Sequence, residues 1–152
     1  MILTTHALVG AAIGKNFGNP WIIIILSLAI HYTMDSFRHG EYLDRQSTLA
    51  NTWWKVALDL FSGLAIVGLF IIFEKPDSAK TFSILLGSFF SMLPDLLTVL
   101  YWKVKMKIFE KLFHFHAWVH KYPPFSEKRL WTLRNAVNDI IFSAIAIISL
   151  FL

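Results

Sequence analysis

Long apolar blocks dominate the chain, and their lengths set the first expectation. Residues 21–30 read WIIIILSLAI and residues 60–73 read LFSGLAIVGLFIIF. A helix needs roughly 20 apolar residues to cross a bilayer, whereas runs of about 10–14 suit re-entrant, interfacial or bundle-buried segments. The pattern predicts membrane segments over residues 2–14, 21–37, 49–73, 81–102 and 126–152. The first is too short to span alone. Its Ala7, Gly10, Ala11, Ala12 and Gly14 suit close packing against another helix.

The breaks between blocks carry turn chemistry. Residues 16–20 (NFGNP) form a turn from which Pro20 opens the next helix. A polar loop is expected over 38–48, and residues 74–80 form a short turn with Ser78 as N-cap. Pro94 should kink the fourth segment or end a sub-helix. Residues 103–120 read as an amphipathic helix in the headgroup zone, broken by Pro123 and Pro124.

Composition agrees. Apolar residues make up 56% of the 152 and charged residues only 16%, where soluble domains hold about a quarter. Mean hydropathy is +0.57. The expected architecture is all-α: one polytopic integral membrane helix bundle over residues 1–152. It should have four to five membrane segments plus the interfacial amphipathic helix. With no cysteine, disulfides and thiolate metal sites are excluded. The net charge of +4 reflects basic residues flanking apolar tracts, so no nucleic-acid partner is expected. The opening MILTTHALVGAAIGK has no leading basic region, and no cleavable signal peptide is expected.

Lysine and arginine set the orientation. With a cytoplasmic N-terminus, only Lys15, Lys75 and Lys80 lie outside. The other eleven, among them Arg38, Arg45, Lys103, Lys107, Lys121, Arg129 and Arg134, lie inside.

A charge at the hydrocarbon centre costs about 2.5–3.5 kcal/mol on insertion scales, so each needs a reason. Under this topology His6, His31, Asp35, Asp59, Asp95, Asn135 and Asp139 all fall in the cytoplasmic half. His31 and Asp35 are one helical turn apart and share a face, with His39 a further turn along. Imidazole and carboxylate on one face suit a divalent metal such as zinc, manganese or iron; a His–Asp hydrogen bond locking two helices is the other reading. Asp95, after the proline, either faces the bundle interior or caps a sub-helix. Asp59 and Asp139 are candidates for ligands, groups supporting a ligand, or helix–helix hydrogen bonds. His116 and His120 share a helical face from which His114 departs. They suit either metal or headgroup contact.

His6 in THALVG, the HxxxD helix of His31 and Asp35, the LPD of Pro94 and Asp95, and the stretch holding His116 and His120 together resemble a known family. It is the small inner-membrane metal-dependent hydrolases of the YdjM-like group. Three departures are plain: HxxxD precedes LPD, the histidine pair is spaced differently, and Leu97 stands where the family has a second Asp, so that one ligand is either missing or replaced by Asp59 or Asp139. The resemblance implies a metal site in a prokaryotic inner membrane.

The leading expectation is a membrane-embedded metal-dependent hydrolase. A divalent cation would be held by His31, Asp35, Asp95 and one or more of His6, His116 and His120, with His39 at the edge. Asp59 is the expected general base. The basic stretch 103–121 would attract an anionic headgroup, making membrane lipids the partners and a phospholipid or polyprenyl-phosphate ester the substrate. Two alternatives stay open: an ion- or proton-coupled carrier using the buried Asp and His residues as a relay, and a non-catalytic protein with a structural His/Asp cluster. No GxSxG elbow or phosphate-cradling glycine loop is present, which argues against serine-nucleophile and nucleotide-driven chemistry.

Overall fold

A computed structural model of the chain describes residues 1–42, 46–123 and 126–152. Arg45, counted in the inner loop, and Pro124, expected to break the amphipathic helix, lie outside the described residues. The described residues form six α-helices and no strand. They are α1 (Leu3–Asn16), α2 (Pro20–Asp35), α3 (Leu49–Glu74), α4 (Ser78–Trp102), α5 (Glu110–Val119) and α6 (Leu133–Phe151). Short 3-10 turns cover Lys107–Phe109 and Glu127–Arg129.

Helices α3, α4 and α6 are each long and apolar enough to cross a membrane; α2 is apolar but shorter. Only 17% of the apolar window of α3 is buried, and Phe61, Phe73 and Ile72 stand 64–73% exposed. Among the described residues no element covers this surface. Hydrocarbon is the solvent that suits it, and the molecule is a membrane protein.

Helix α1 has 14 residues, about 21 Å at 1.5 Å per residue, short of the roughly 30 Å hydrocarbon core. It is sheathed instead by α2, α3, α4 and α6, with Leu8, Ala11 and Ala12 packed in the main apolar cluster beside Val67, Ile84 and Leu150. A helix buried along most of its length in this way is a core element. Its small residues let α4 approach backbone to backbone: a Cβ on Gly10 would stand 2.2 Å from the Gly87 carbonyl oxygen, and one on Gly14 2.0 Å from that of Ser83. Ser88 fastens the crossing by donating to the Ala7 carbonyl at 2.8 Å.

Local rules explain most helix ends. Asn19 caps α2, with Pro20 in its first turn, and Thr48 with Asn51 makes a capping box on α3. The cap of α4 is Asp77, not Ser78; its carboxylate accepts from the Lys80 N–H at 2.7 Å. Helix α4 also continues through Pro94. The expected amphipathic helix over 103–120 begins only at Glu110. Ahead of it, Lys103, Lys105 and Lys107 alternate with Val104, Met106 and Ile108, a period of two where a helix needs 3.6, and Lys105 adopts a φ of 67°. The last helix starts at Leu133, capped by Thr132. The chain before it is held instead by the Glu41 N–H donating to the Arg129 carbonyl at 2.6 Å.

Replacing Gly14 with Val should separate α1 from α4 and cost about 1–3 kcal/mol. Gly68, whose Cβ direction is open, should tolerate Ala with unchanged or slightly higher stability. Thermal unfolding of both variants in detergent checks the contrast.

Candidate metal centre

The polar residues of the apolar helices meet at one end of the bundle. α1 begins there, α2 and α4 finish there, and α5 lies across it. Two contacts fix α1 in this end. The Leu3 and Thr4 N–H groups donate to the Asp59 carboxylate at 2.8 and 2.9 Å, and the Ile2 N–H donates to Asp139 at 3.0 Å. Acidic groups at a helix N-terminus satisfy its orphan donors and oppose its dipole.

This settles what Asp59 is doing. Its carboxylate also accepts from the Thr4 hydroxyl at 2.7 Å and the Tyr42 hydroxyl at 3.0 Å. The expected general base therefore anchors α1 through both its oxygens and belongs to neither group of possible metal ligands among the described residues. Asp139 likewise binds Ile2 and, at 3.3 Å, Thr5, as a helix–helix tie. Asn135 joins Arg38 at 2.5 Å to the Lys128 and Leu130 carbonyls. Neither aspartate belongs to the groups of possible metal ligands among the described residues.

The seven expected ligands do converge. Asp35 is fully buried at the end of α2, and four imidazoles face it. His31 Nε2 lies 3.2 Å from Oδ2, His116 Nε2 2.8 Å and His120 Nε2 3.6 Å from the same oxygen, and His6 Nε2 3.3 Å from Oδ1. The Met1 amino group also contacts Oδ1. Asp95 approaches from α4, 3.7 Å from both His116 and His6. His114, by contrast, points outward and is two-thirds exposed.

Supporting contacts aim the rings. His31 Nδ1 lies 2.7 Å from the Ser91 carbonyl oxygen. A carbonyl only accepts, so Nδ1 carries a proton there and Nε2 is the ring atom that faces Asp35. Pro94, three residues on in the same unbroken helix, has no N–H to give the ladder of α4. His39 Nδ1 is fixed the same way by the Phe37 carbonyl at 2.9 Å. The Thr98 hydroxyl stands 2.7 Å from His116 Nδ1.

Burial lowers the pKa of His39 to about 2 and that of His120 to about 4, with neighbouring positive groups adding to the effect and Asp35 opposing it. Both rings are neutral at physiological pH. Burial acts on His116 in the same direction, but its hydrogen bond to Asp35 and the charge of Asp95 raise its pKa overall.

Several donor atoms are left without hydrogen bonds among the described residues although buried: both ring nitrogens of His6, His39 Nε2, His120 Nδ1 and Asp95 Oδ2. Orphaned buried lone pairs around carboxylates are costly unless a cation takes them. His31, Asp35, Asp95 and His116 offer four ligand atoms within 4.8 Å of one another. Imidazole nitrogen with carboxylate oxygen is a donor set for a divalent ion, so these residues fit a metal.

The centre opens on a cavity of about 520 Å³. Asp95, His116, His120 and Arg129 line its polar end, and Leu60, Leu64, Leu85 and Phe89 its apolar length. It exists because α3 and α4 both pack on α1 but scarcely on each other. Arg129 was not singled out by the sequence. Its guanidinium meets Glu41 and, at 3.2 Å, the Tyr122 carbonyl, while Nε has no partner among the described residues. Burial lowers its pKa to about 10, so it stays charged. Thr98 was also missed, although it stands three residues after Asp95 on the same face of α4.

Removing the Thr98 hydroxyl with Val should weaken metal binding about 10–100-fold by freeing the His116 ring. Competition against a chelator of known affinity checks this. No protein-family model, curated protein or solved structure matches the chain.

Proposed function

We propose that the protein is a membrane-embedded hydrolase that uses a divalent cation, zinc, manganese or iron, to cleave a lipid ester or lipid-phosphate ester near the cytoplasmic face. One observation carries this reading: the buried His/Asp centre borders an apolar cleft lined by two membrane-length helices. A relay for ions would need no such cleft, and a structural metal would need no opening.

In this reading His31, Asp35, Asp95 and His116 hold the ion. A divalent cation there supplies Lewis acidity, lowering the pKa of water and polarising a phosphoryl or acyl oxygen. The cleft takes the acyl or prenyl chain along Leu60, Leu64, Leu85 and Phe89. Arg129, charged and lining the same cavity, pairs with the phosphate. Asp95 takes over the role first given to Asp59: its Oδ2 is free to accept a proton from attacking water. The motif resemblance to the YdjM-like group supports the same assignment, as does the charge distribution. Arg38, Lys103, Lys107, Lys121 and Arg129 flank the metal-centre end, while Lys15, Lys75 and Lys80 flank the other, a bias that supports a cytoplasmic centre; the prokaryotic inner membrane is what the resemblance implies.

The enzyme reconstituted in lipid nanodiscs should release phosphate or fatty acid from a bilayer lipid and lose that activity on chelation. Asp35→Asn should abolish turnover, and Arg129→Ala should lower it by roughly 100-fold. Metal bound in full with no release from a panel of phospholipids and polyprenyl phosphates would leave a structural centre instead.

Sidedness is checked separately. The chain lacks cysteine, so single substitutions report cleanly. In intact cells an impermeant thiol reagent should label Lys75→Cys and spare Lys107→Cys; the reverse pattern would turn the centre outward.

A further inference from the structure

Seven ligand-type side chains are more than one ion takes. Zinc binds about four donors and expands to five, yet five histidines and two aspartates gather here. They do not form a single shell. His31, Asp35, Asp95 and His116 make one group; Asp35, His39 and His120 make another, again with every ligand atom within 4.8 Å of the rest. Asp35 belongs to both.

The second group is built, not incidental. His39 is 4% exposed, and its Nδ1 is committed to the Phe37 carbonyl. Its Nε2 is therefore a buried lone pair, and it has no hydrogen-bond partner among the described residues. His120 ends α5 with its ring 4.9 Å from that of His39 and stacked at 4.8 Å on His116. Its Nε2 is 3.6 Å from Asp35 Oδ2. Glu41 Oε1 stands 3.9 Å from His39 Nε2 and adds negative charge on this side. The Met1 amino group occupies the other oxygen of Asp35, beside His6, and leaves Oδ2 to His31, His116 and His120.

We propose that the centre binds two divalent cations, with Asp35 as their shared carboxylate and His39 and His120 as the remaining side-chain ligands of the second ion. Two-ion hydrolytic sites hold their metals about 3.5–4 Å apart, close enough to grip both the attacking and the leaving oxygen of a phosphoryl group. The second ion lies on the side of the centre nearest Glu41 and Arg129. The inference rests on the metal centre of the proposed function, but not on hydrolysis.

The test uses the full chain in nanodiscs, stripped with chelator and reloaded with zinc or manganese. Wild type should retain about two zinc ions per chain after desalting, and the His39→Ala/His120→Ala double variant about one. A measurement on wild type alone guards against misfolding of the variant. Two manganese ions sharing a carboxylate are spin-coupled, so their electron paramagnetic resonance spectrum should depart from the six-line pattern of isolated Mn(II). One zinc per chain in wild type, or an uncoupled manganese spectrum at saturation, overturns the second ion. Lipid cleavage by a chain holding a single ion would leave the hydrolase reading standing and remove only this inference. Two coupled ions with no cleavage would do the opposite, and a chain that retains no metal would remove both.

Discussion

A fully buried carboxylate at the end of an apolar helix has to be neutralised, and the surroundings of Asp35 are arranged around that requirement. Water is excluded and the local dielectric is low, so an unpaired charge would cost several kcal/mol. Four imidazoles and the Met1 amino group turn toward it from three helices and the chain start. Neutral imidazoles alone do not cancel the charge, and the rings of His39 and His120 are neutral at physiological pH because burial holds their pKa values low. The Met1 amino group pairs with one oxygen of Asp35, and the buried ring nitrogens of His6, His39 and His120 that have no hydrogen-bond partner among the described residues leave lone pairs a metal could take.

The bundle holds this centre by giving its shortest helix the most protected place. α1 carries His6 inward, and every side of it is covered. Its position along the bundle is set at one end by Asp59 and Asp139 on its N-terminal amides. Further along, Gly10 and Gly14 lie against α4 with no room for a side chain. Apolar contact alone would let the helix slide; backbone contact and capped termini fix its depth. His6 is then held within 3.3 Å of Asp35 by groups that are not themselves part of the centre.

Much of this was legible in the sequence because membrane proteins write their architecture in long apolar runs and rare charges. The helical class followed from the runs, and the cluster followed from asking where each intramembrane His and Asp would fall once orientation was set. His31 and Asp35 needed only the i, i+4 rule. What could not be read was pairing across helices. Asp59 looks like a catalytic carboxylate in one dimension; only the fold shows it against the amides of Leu3 and Thr4. The same holds for the division of ligands into two groups, because His39 and His120 are far apart in sequence and meet only when α5 folds across the end of α2. Arg129 drew no attention because basic residues in a headgroup-zone stretch are common. The alternation of lysines ahead of α5 was misleading for a different reason: a period of two resembles amphipathicity without being helical.

The cleft between α3 and α4 has a consequence for how any ligand would be counted. Its apolar length runs between two membrane-length helices, so an amphiphile bound there would arrive by lateral diffusion without first leaving the membrane. Occupancy then depends on that amphiphile's mole fraction among the lipids, a surface density, and not on moles per litre of suspension. Diluting the sample with buffer would change nothing, whereas diluting the bilayer with inert lipid would empty the cleft.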